Sequence, residues 1–210
     1  MLKGFKYIFE VLVMIVCIYE GMSCAFARDT TFLGKVINAD TKEPIEGAVI
    51  VAYWYEAWGT PAGETTRLRD VKETMTDRKG EWAIAGPKGR SEYHFFGLLF
   101  FIPYTRQPEF VVFKPGYCPW PKGFSTDACK EKMKSSGEGE LWKGKNIELP
   151  ALTKREDRLR VTLGPIYPSN DKKNKEFLRK QIEFLKLINE ERRNLDLDEY
   201  TIYKELKDEK

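Results

Sequence analysis

Histidine is nearly missing from this sequence, since His94 is the only one among 210 residues. That scarcity excludes a metal centre built from several histidines and a metallopeptidase site that pairs glutamate with histidine. A Ser-His-Asp mechanism would have to use His94, which lies in an apolar run typical of a core or loop histidine. A glycine-rich phosphate loop is missing too, because Gly86-Pro87-Lys88-Gly89 lacks the lysine after its last glycine and the helix context of such loops. The sequence therefore predicts a protein that is not an enzyme and has no catalytic residue, metal or cofactor.

A strong excess of charge is also missing. The formal net charge is +3, and no block of like charges stands out, which disfavours nucleic acid as a partner. With 42% hydrophobic and 32% charged residues, the chain can form one substantial core and a smaller appendage.

Long hydrophobic runs are scarce. The run Ile8 to Tyr19 is interrupted by Glu10 and is shorter than the roughly 20 residues of a membrane-spanning helix. Lys3 and Lys6 precede it, and Ala25-Phe26-Ala27 follows as a small-x-small cleavage pattern. These features predict a signal peptide over residues 1–27, a periplasmic or secreted mature protein, and no stable membrane span after cleavage.

Cys24 offers an alternative to this cleavage. If Cys24 were acylated, the protein would be an anchored lipoprotein, although Gly21 occupies the −3 position where a larger aliphatic residue is usual. An uncleaved amino-terminal anchor is a further alternative.

Cysteine is scarce as well, with four in the sequence. Cleavage after Ala27 removes Cys17 and Cys24, so the mature chain keeps Cys118 and Cys129 in an oxidising compartment. The sequence therefore predicts one disulfide between them, closing a loop rich in proline and glycine. Two free thiols are the alternative, and a zinc site lacks the further cysteine or histidine ligands that it needs.

Between residues 34 and 149 the sequence predicts short strands separated by turns. Gly34–Ile37 is a β-prone run, residues 38–44 have turn chemistry, and Ala48–Ala52 is an apolar run typical of a buried strand. Further strands are predicted at Arg67–Met75, Trp82–Ala85, Glu109–Phe113 and Asn146–Leu149.

Five pieces of this pattern carry a resemblance to a known family. They are Gly34-x-Val36, Thr41-x-x-Pro44-Ile45-x-Gly47-Ala48-x-Ile50, Thr76-Asp77-x-x-Gly80-x-Trp82-x-Ile84, Phe110 to Tyr117 and Asn146 to Leu149. Together they resemble the carboxypeptidase regulatory-like domain family of exported bacterial proteins, over roughly residues 32–150. The resemblance implies a mainly β, transthyretin-like (prealbumin-like) antiparallel β-sandwich of Greek-key type, usually without catalytic activity. Long insertions between the matched strands and a carboxy-terminal extension depart from the family pattern.

Aromatic residues supply the sequence's one candidate ligand site. Trp54, Tyr55 and Trp58 follow the predicted buried strand, and aromatic rings of this density can stack on sugars. The competing interpretation is that they are core and edge residues of the sandwich. The apolar segment from Tyr93 to Tyr104 likewise allows two interpretations, a buried strand with a loop or an exposed contact patch.

The last segment changes in character. A fragment from Leu159 to Leu163 fits a strand or a helix, and residues 172–194 have helical spacing with a broad apolar face. That face predicts a helix docked on the sandwich of its own chain, with self-association or partner binding through residues 172–194 as the alternative. The predicted organisation is a signal peptide (1–27), a β-sandwich domain (28–152), and a linker with a helical extension (153–210).

Three functional hypotheses follow. The first is a structural or protein-interaction module of the cell envelope, whose partner is an envelope protein or a glycan. The second is a carbohydrate-binding module that uses the exposed aromatics. The third, less favoured, is a hydrolase built on carboxylates such as Asp70, Glu73 and Asp77.

Overall fold

The computed structural model describes residues 31–60, 63–87, 104–121, 129, 146–161, 163, 164 and 174–208. The predictions for the signal peptide, for Cys24 and for His94 fall outside the described residues, as does most of the apolar segment that ends at Tyr104.

Strands form most of the regular structure. They are β1 (Thr31–Asn38), β2 (Val49–Thr60), β3 (Gly63–Met75), β4 (Glu81–Ala85), β5 (Tyr104–Thr105), β6 (Glu109–Phe113) and β7 (Asn146–Leu149). We call β4-β1-β7 the outer sheet, and β3-β2 with β5 and β6 the inner sheet. The protein is therefore mainly β and has two sheets, as predicted.

The two sheets share one apolar core, which makes the β region a sandwich. On β2, Ile50, Ala52 and Trp54 point into this core. Aromatic rings fill its centre, with Phe110 of the inner sheet 5.5 Å from Trp82 and 5.6 Å from Phe32 of the outer sheet, measured between ring centroids.

Strand directions differ in one place from the antiparallel sandwich that was predicted. β1 runs antiparallel to β4 but parallel to β7, with Lys35 opposite Asn146. A parallel neighbour needs a crossover between the strands, and here the whole inner sheet lies between β1 and β7 in the chain. The outer sheet is therefore mixed.

The turn before β4 explains one of the matched sequence pieces. Asp77 Oδ1 accepts hydrogen bonds from the backbone N–H groups of Lys79 and Glu81, both at 2.8 Å. Gly80 has φ of +74°, and a Cβ there would lie 2.4 Å from the carbonyl oxygen of Val36. Only glycine fits this position without moving the backbone of β1.

The long hairpin of β2 and β3 extends beyond the predicted strand ends. Its pairing runs from Val49 opposite Met75 to Thr60 opposite Gly63, with an irregularity at Trp54/Tyr55 where Arg69 is the extra residue on β3. Such a bulge increases the local twist of the strands.

Four helices are described after the sandwich. They are α1 (Arg155–Arg160), α2 (Asn174–Arg179), α3 (Ile182–Asn194) and α4 (Ile202–Asp208). The prediction of one helix over residues 172–194 was wrong, because the helix breaks at Lys180 and Gln181 and α3 starts again at Ile182. The fragment Leu159–Leu163 overlaps the end of α1, and Val161 is a turn residue, so none of its described residues lies in a strand.

The helices from α2 to α4, which we call the helical layer, cover the second face of the inner sheet. Val49, Val51 and Tyr53 of β2 point away from the sandwich core into a second apolar cluster, which also contains Phe184 and Ile188 of α3. The ring of Phe184 meets that of Phe113 edge-on at 6.1 Å. The segment 174–194 thus packs on its own chain, as predicted, and its buried face is not free for self-association.

Candidate functional site

The three aromatic residues proposed to stack on a ligand do not lie together. Trp54 is 2% exposed and belongs to the sandwich core, while Tyr55 points to the opposite face of the inner sheet and packs against the helix-covered cluster. Trp58 is half-buried near the end of β2, with the Arg67 guanidinium 5.8 Å from its ring centroid. An exposed platform of three coplanar rings is therefore not present.

The three carboxylates of the hydrolase hypothesis are engaged in separate structural contacts. Asp77 organises the turn before β4. Asp70 Oδ1 accepts a 2.8 Å bond from Lys180 Nζ, and this contact raises the pKa of the lysine. Glu73 binds the start of α3. Their oxygens thus stabilise turns and helix ends and do not converge on a cleft.

Glu73 performs the role of a helix cap from a strand. Its Oε1 accepts the N–H of Glu183 at 2.9 Å, and its Oε2 accepts the N–H of Phe184 at 3.0 Å. Gln181, at the usual cap position, makes no side-chain cap bond. The first amides of a helix need such acceptors and attract negative charge, so β3 supplies the partner that the helix lacks.

Gln181 is occupied by a buried contact with the inner sheet. Its Oε1 accepts a 2.8 Å bond from the Tyr53 hydroxyl, and its Nε2 donates to the carbonyl of Phe177 at 3.2 Å. Burial is the main cause that raises the pKa of Tyr53, which keeps this phenol a neutral donor. The Gln181 side chain therefore gives the buried Tyr53 hydroxyl its acceptor.

A buried carboxylate on α3 joins three parts of the chain. Glu191 is 3% exposed, and its two oxygens accept bonds from Arg158 Nε and Nη2 at 2.8 and 2.6 Å. The N–H of Gly116 donates to it at 3.1 Å. This two-fold contact raises the pKa of Arg158, and it ties α1, α3 and the corner after β6 together.

The cysteine pair lies beside this corner. The sulphur atoms of Cys118 and Cys129 are 2.09 Å apart and both side chains are fully buried, which is the geometry that the predicted disulfide requires. They pack with Leu152 and Val161 on either side of α1. The bond therefore sits where the sandwich passes into the helical extension.

The outer sheet leaves one face open. A shallow depression of about 540 Å³ lies there, lined among others by Leu33, Lys35, Glu81 and Asn146. Leu33 is 50% exposed. Lys35 stands opposite Glu81 on one side and Asn146 on the other, and within the described residues none of these three side chains has a hydrogen bond or an ion pair. This face therefore combines an exposed apolar group with polar side chains that have no partner among the described residues.

Metal binding and membrane insertion have no described candidate. Among the residues that the structure describes, no group of three or more His, Cys, Asp or Glu side chains is arranged to hold a metal ion. Over the same residues, no helix has the length and apolar character needed to cross a membrane.

Sequence reasoning missed the polar residues that hold the helical layer. Gln181 and Glu191 are polar positions on an otherwise apolar helix face, and that conflict with the helical pattern was the available signal. Nothing in the sequence indicated that Glu73 caps a helix, because the amide that it accepts is more than a hundred residues away along the chain.

No protein-family model matches this chain, and no curated protein and no solved structure matches it either.

Proposed function

We propose that the protein is a non-catalytic, exported β-sandwich module of the carboxypeptidase regulatory-like, transthyretin-like type, with a structural or protein-interaction role in the cell envelope. The observation that carries this function is the contrast between used and unused polar groups. Asp70, Glu73 and Glu191 are engaged between layers, whereas Lys35 and Glu81 on the outer sheet are free for a partner.

The positions of the matched sequence pieces support the family part of the proposal. The motif around Gly80 forms the tight turn into β4, and Gly47 adopts a φ of +66° just before β2. Glu109–Phe113 and Asn146–Leu149 are strands with the bounds expected from the pattern. These are the positions at which the sequence resemblance implies turns and strands.

Photo-crosslinking in intact cells tests the interaction role. A photoreactive amino acid replaces Leu33 in the full-length chain with its own leader, and the matched control carries it at the exposed Lys204 of α4. We expect a discrete protein adduct from position 33 and none from position 204. Absence of an adduct from both positions, in a correctly exported protein, would contradict the proposal.

Glycan binding is a second candidate function, and Trp58 is the observation that favours it. This ring is partly exposed and lies under Arg67, which an ion pair of 2.6 Å to Glu56 holds in place. If sugars stack here, Trp58→Ala abolishes retardation of the protein in gels that contain envelope polysaccharide, while Tyr203→Ala on α4 leaves it unchanged. Equal retardation of both variants would remove this candidate.

A further inference from the structure

Three pairs of outward side chains lie across β1 and β4 of the outer sheet. In each pair the two members differ, either in size or in the sign of their charge. The pairs are Thr31 with Ala85, Leu33 with Ala83, and Lys35 with Glu81. Because side chains alternate along a strand, all three pairs lie on the face that points away from the sandwich core.

The difference in size makes this face uneven. Leu33 is 50% exposed, and the small Ala83 is exposed beside it. Both residues line the shallow depression of the outer sheet. The exposed leucine gains free energy when another apolar surface covers it. The face therefore presents a projecting apolar side chain next to a hollow.

The charges that this face leaves for a partner are one cation and one anion. Glu148, the charged residue of β7, pairs with Lys42 at 2.8 Å, and Asp77 at the rim accepts two amides of its own turn. Lys35 and Glu81 stand opposite each other without an ion pair among the described residues. A strongly acidic or strongly basic partner would meet one repelling group here. The face suits a surface that also presents one charge of each sign.

We propose that this face is the contact surface of a symmetric dimer, in which a second copy of the chain packs its outer sheet on that of the first. The two-fold axis runs parallel to the strands, between β1 and β4. Rotation about this axis exchanges the positions of the two strands, so Lys35 of each copy lies over Glu81 of the other, and Leu33 over Ala83. Each complementary contact therefore occurs twice, as a two-fold interface requires.

The packing of sheets is compatible with this axis. Two sheets that pack face to face keep their strand directions within about 30° of each other, and rotation about an axis parallel to the strands leaves their direction unchanged. The inference rests on the interaction role proposed above and specifies the partner as a second copy of this chain.

Reversal of one charge tests the contact in solution. Lys35→Glu puts two anions on the face and Glu81→Lys puts two cations there, so each variant should repel its own copy. By sedimentation equilibrium of the purified protein, we expect a dimer for the native chain and a dissociation constant about tenfold or more higher for either variant. An equimolar mixture of the two variants should dimerise like the native chain, because each contact of the heterodimer then joins a cation to an anion.

The mixture separates a lost contact from a damaged fold, since a second variant cannot repair the fold of the first. Lys204→Glu makes the same change of charge at an exposed position of α4 and should leave the dissociation constant unchanged. A native chain that stays monomeric, or a mixture of folded variants that does, would overturn the dimer.

The mass of the adduct from a photoreactive residue at position 33 decides the question if either charge variant fails to fold. An adduct of twice the chain mass that contains peptides of this chain alone supports the dimer. An adduct with a different protein overturns the dimer and leaves the interaction role intact. Absence of any adduct removes both.

Discussion

The inner and outer sheets differ in how many of their faces are covered. On β2 of the inner sheet, six successive residues from Val49 to Trp54 are at most 3% exposed, because the sandwich core covers one face and helices cover the other. On β1 of the outer sheet, exposed and buried residues alternate at the start of the strand, and Leu33 remains half exposed. A strand covered on both faces needs a continuous apolar sequence, while a strand covered on one face needs alternation.

This difference determines where polar side chains must find partners. Tyr53 and Glu191 are buried between the inner sheet and the helices, and each has a specific partner on another element. Lys35 and Glu81 on the outer face can rely on water. The inner sheet is therefore the part of the molecule whose stability depends on the extension, and the outer sheet is the part with exposed side chains on one face.

Removal of the helical layer should lower stability more than any other change, because it leaves the inner sheet covered on one face only, like the outer sheet. A stop codon after Leu163 exposes the face of β2 and β6 that α3 covers. Losing the burial of about five large apolar side chains costs on the order of 10 kcal/mol before ordering entropy is returned. We expect the truncated chain to melt far lower or to be insoluble, as measured by circular dichroism and gel filtration. A control that ends at Asp208 should behave like the full chain, and an unchanged melt of the truncated form would show that the inner sheet does not need its cover.

A substitution of Glu191 tests whether a single buried polar contact beneath the helices contributes to the unfolding free energy. Glu191→Ala removes the acceptor that Arg158 and the Gly116 amide share, and losing such charge-assisted hydrogen bonds costs about 1.5–3 kcal/mol. Chemical denaturation measures this loss. Glu190→Ala, at the neighbouring half-buried position, is the matched control and should cost less than about 1 kcal/mol. Equal costs for the two variants would contradict the anchoring role of Glu191.

The disulfide should have an intermediate effect, because it constrains the chain between the two regions and does not fill either core. A Cys118→Ala and Cys129→Ala double variant should lose roughly 3 kcal/mol of unfolding free energy, from the entropy of a loop of about a dozen residues. Thiol labelling of intact, non-reduced protein provides the direct check. Two reactive thiols in the unfolded but unreduced chain would refute the bond itself.

The smallest effect is expected on the open face. Leu33→Ser removes an exposed apolar group from the outer sheet and should change the unfolding free energy by no more than about 0.5 kcal/mol. The same change on the covered side, Val51→Ser, should cost several times more, because it places a hydroxyl in the helix-covered cluster. A large loss for Leu33→Ser would mean that the two sheets do not differ in the way described.

Much of the strand pattern could be predicted from local sequence. The strands at residues 109–113 and 146–149, and the turn around Gly80, came from apolar runs and turn residues that act over a few positions. The ends of β2 and β3 could not, since pairing between the two strands extends both past their apolar parts. The candidate ligand site could not be predicted either, because nothing local in the sequence says that Trp54 lies in the sandwich core and Tyr55 on the opposite face of the inner sheet.

By itself the sequence determined the local units of this protein: short strands, glycine turns, two cysteines close enough to pair, and an apolar helical face that had to be buried. Tertiary structure alone decided the parallel pairing of β1 with β7, the break at Gln181, and the capping of α3 by Glu73. The physical reason is distance along the chain. Propensity and periodicity act between neighbours, whereas the partner that satisfies a buried tyrosine, glutamine or helix end is chosen by packing between residues more than a hundred positions apart.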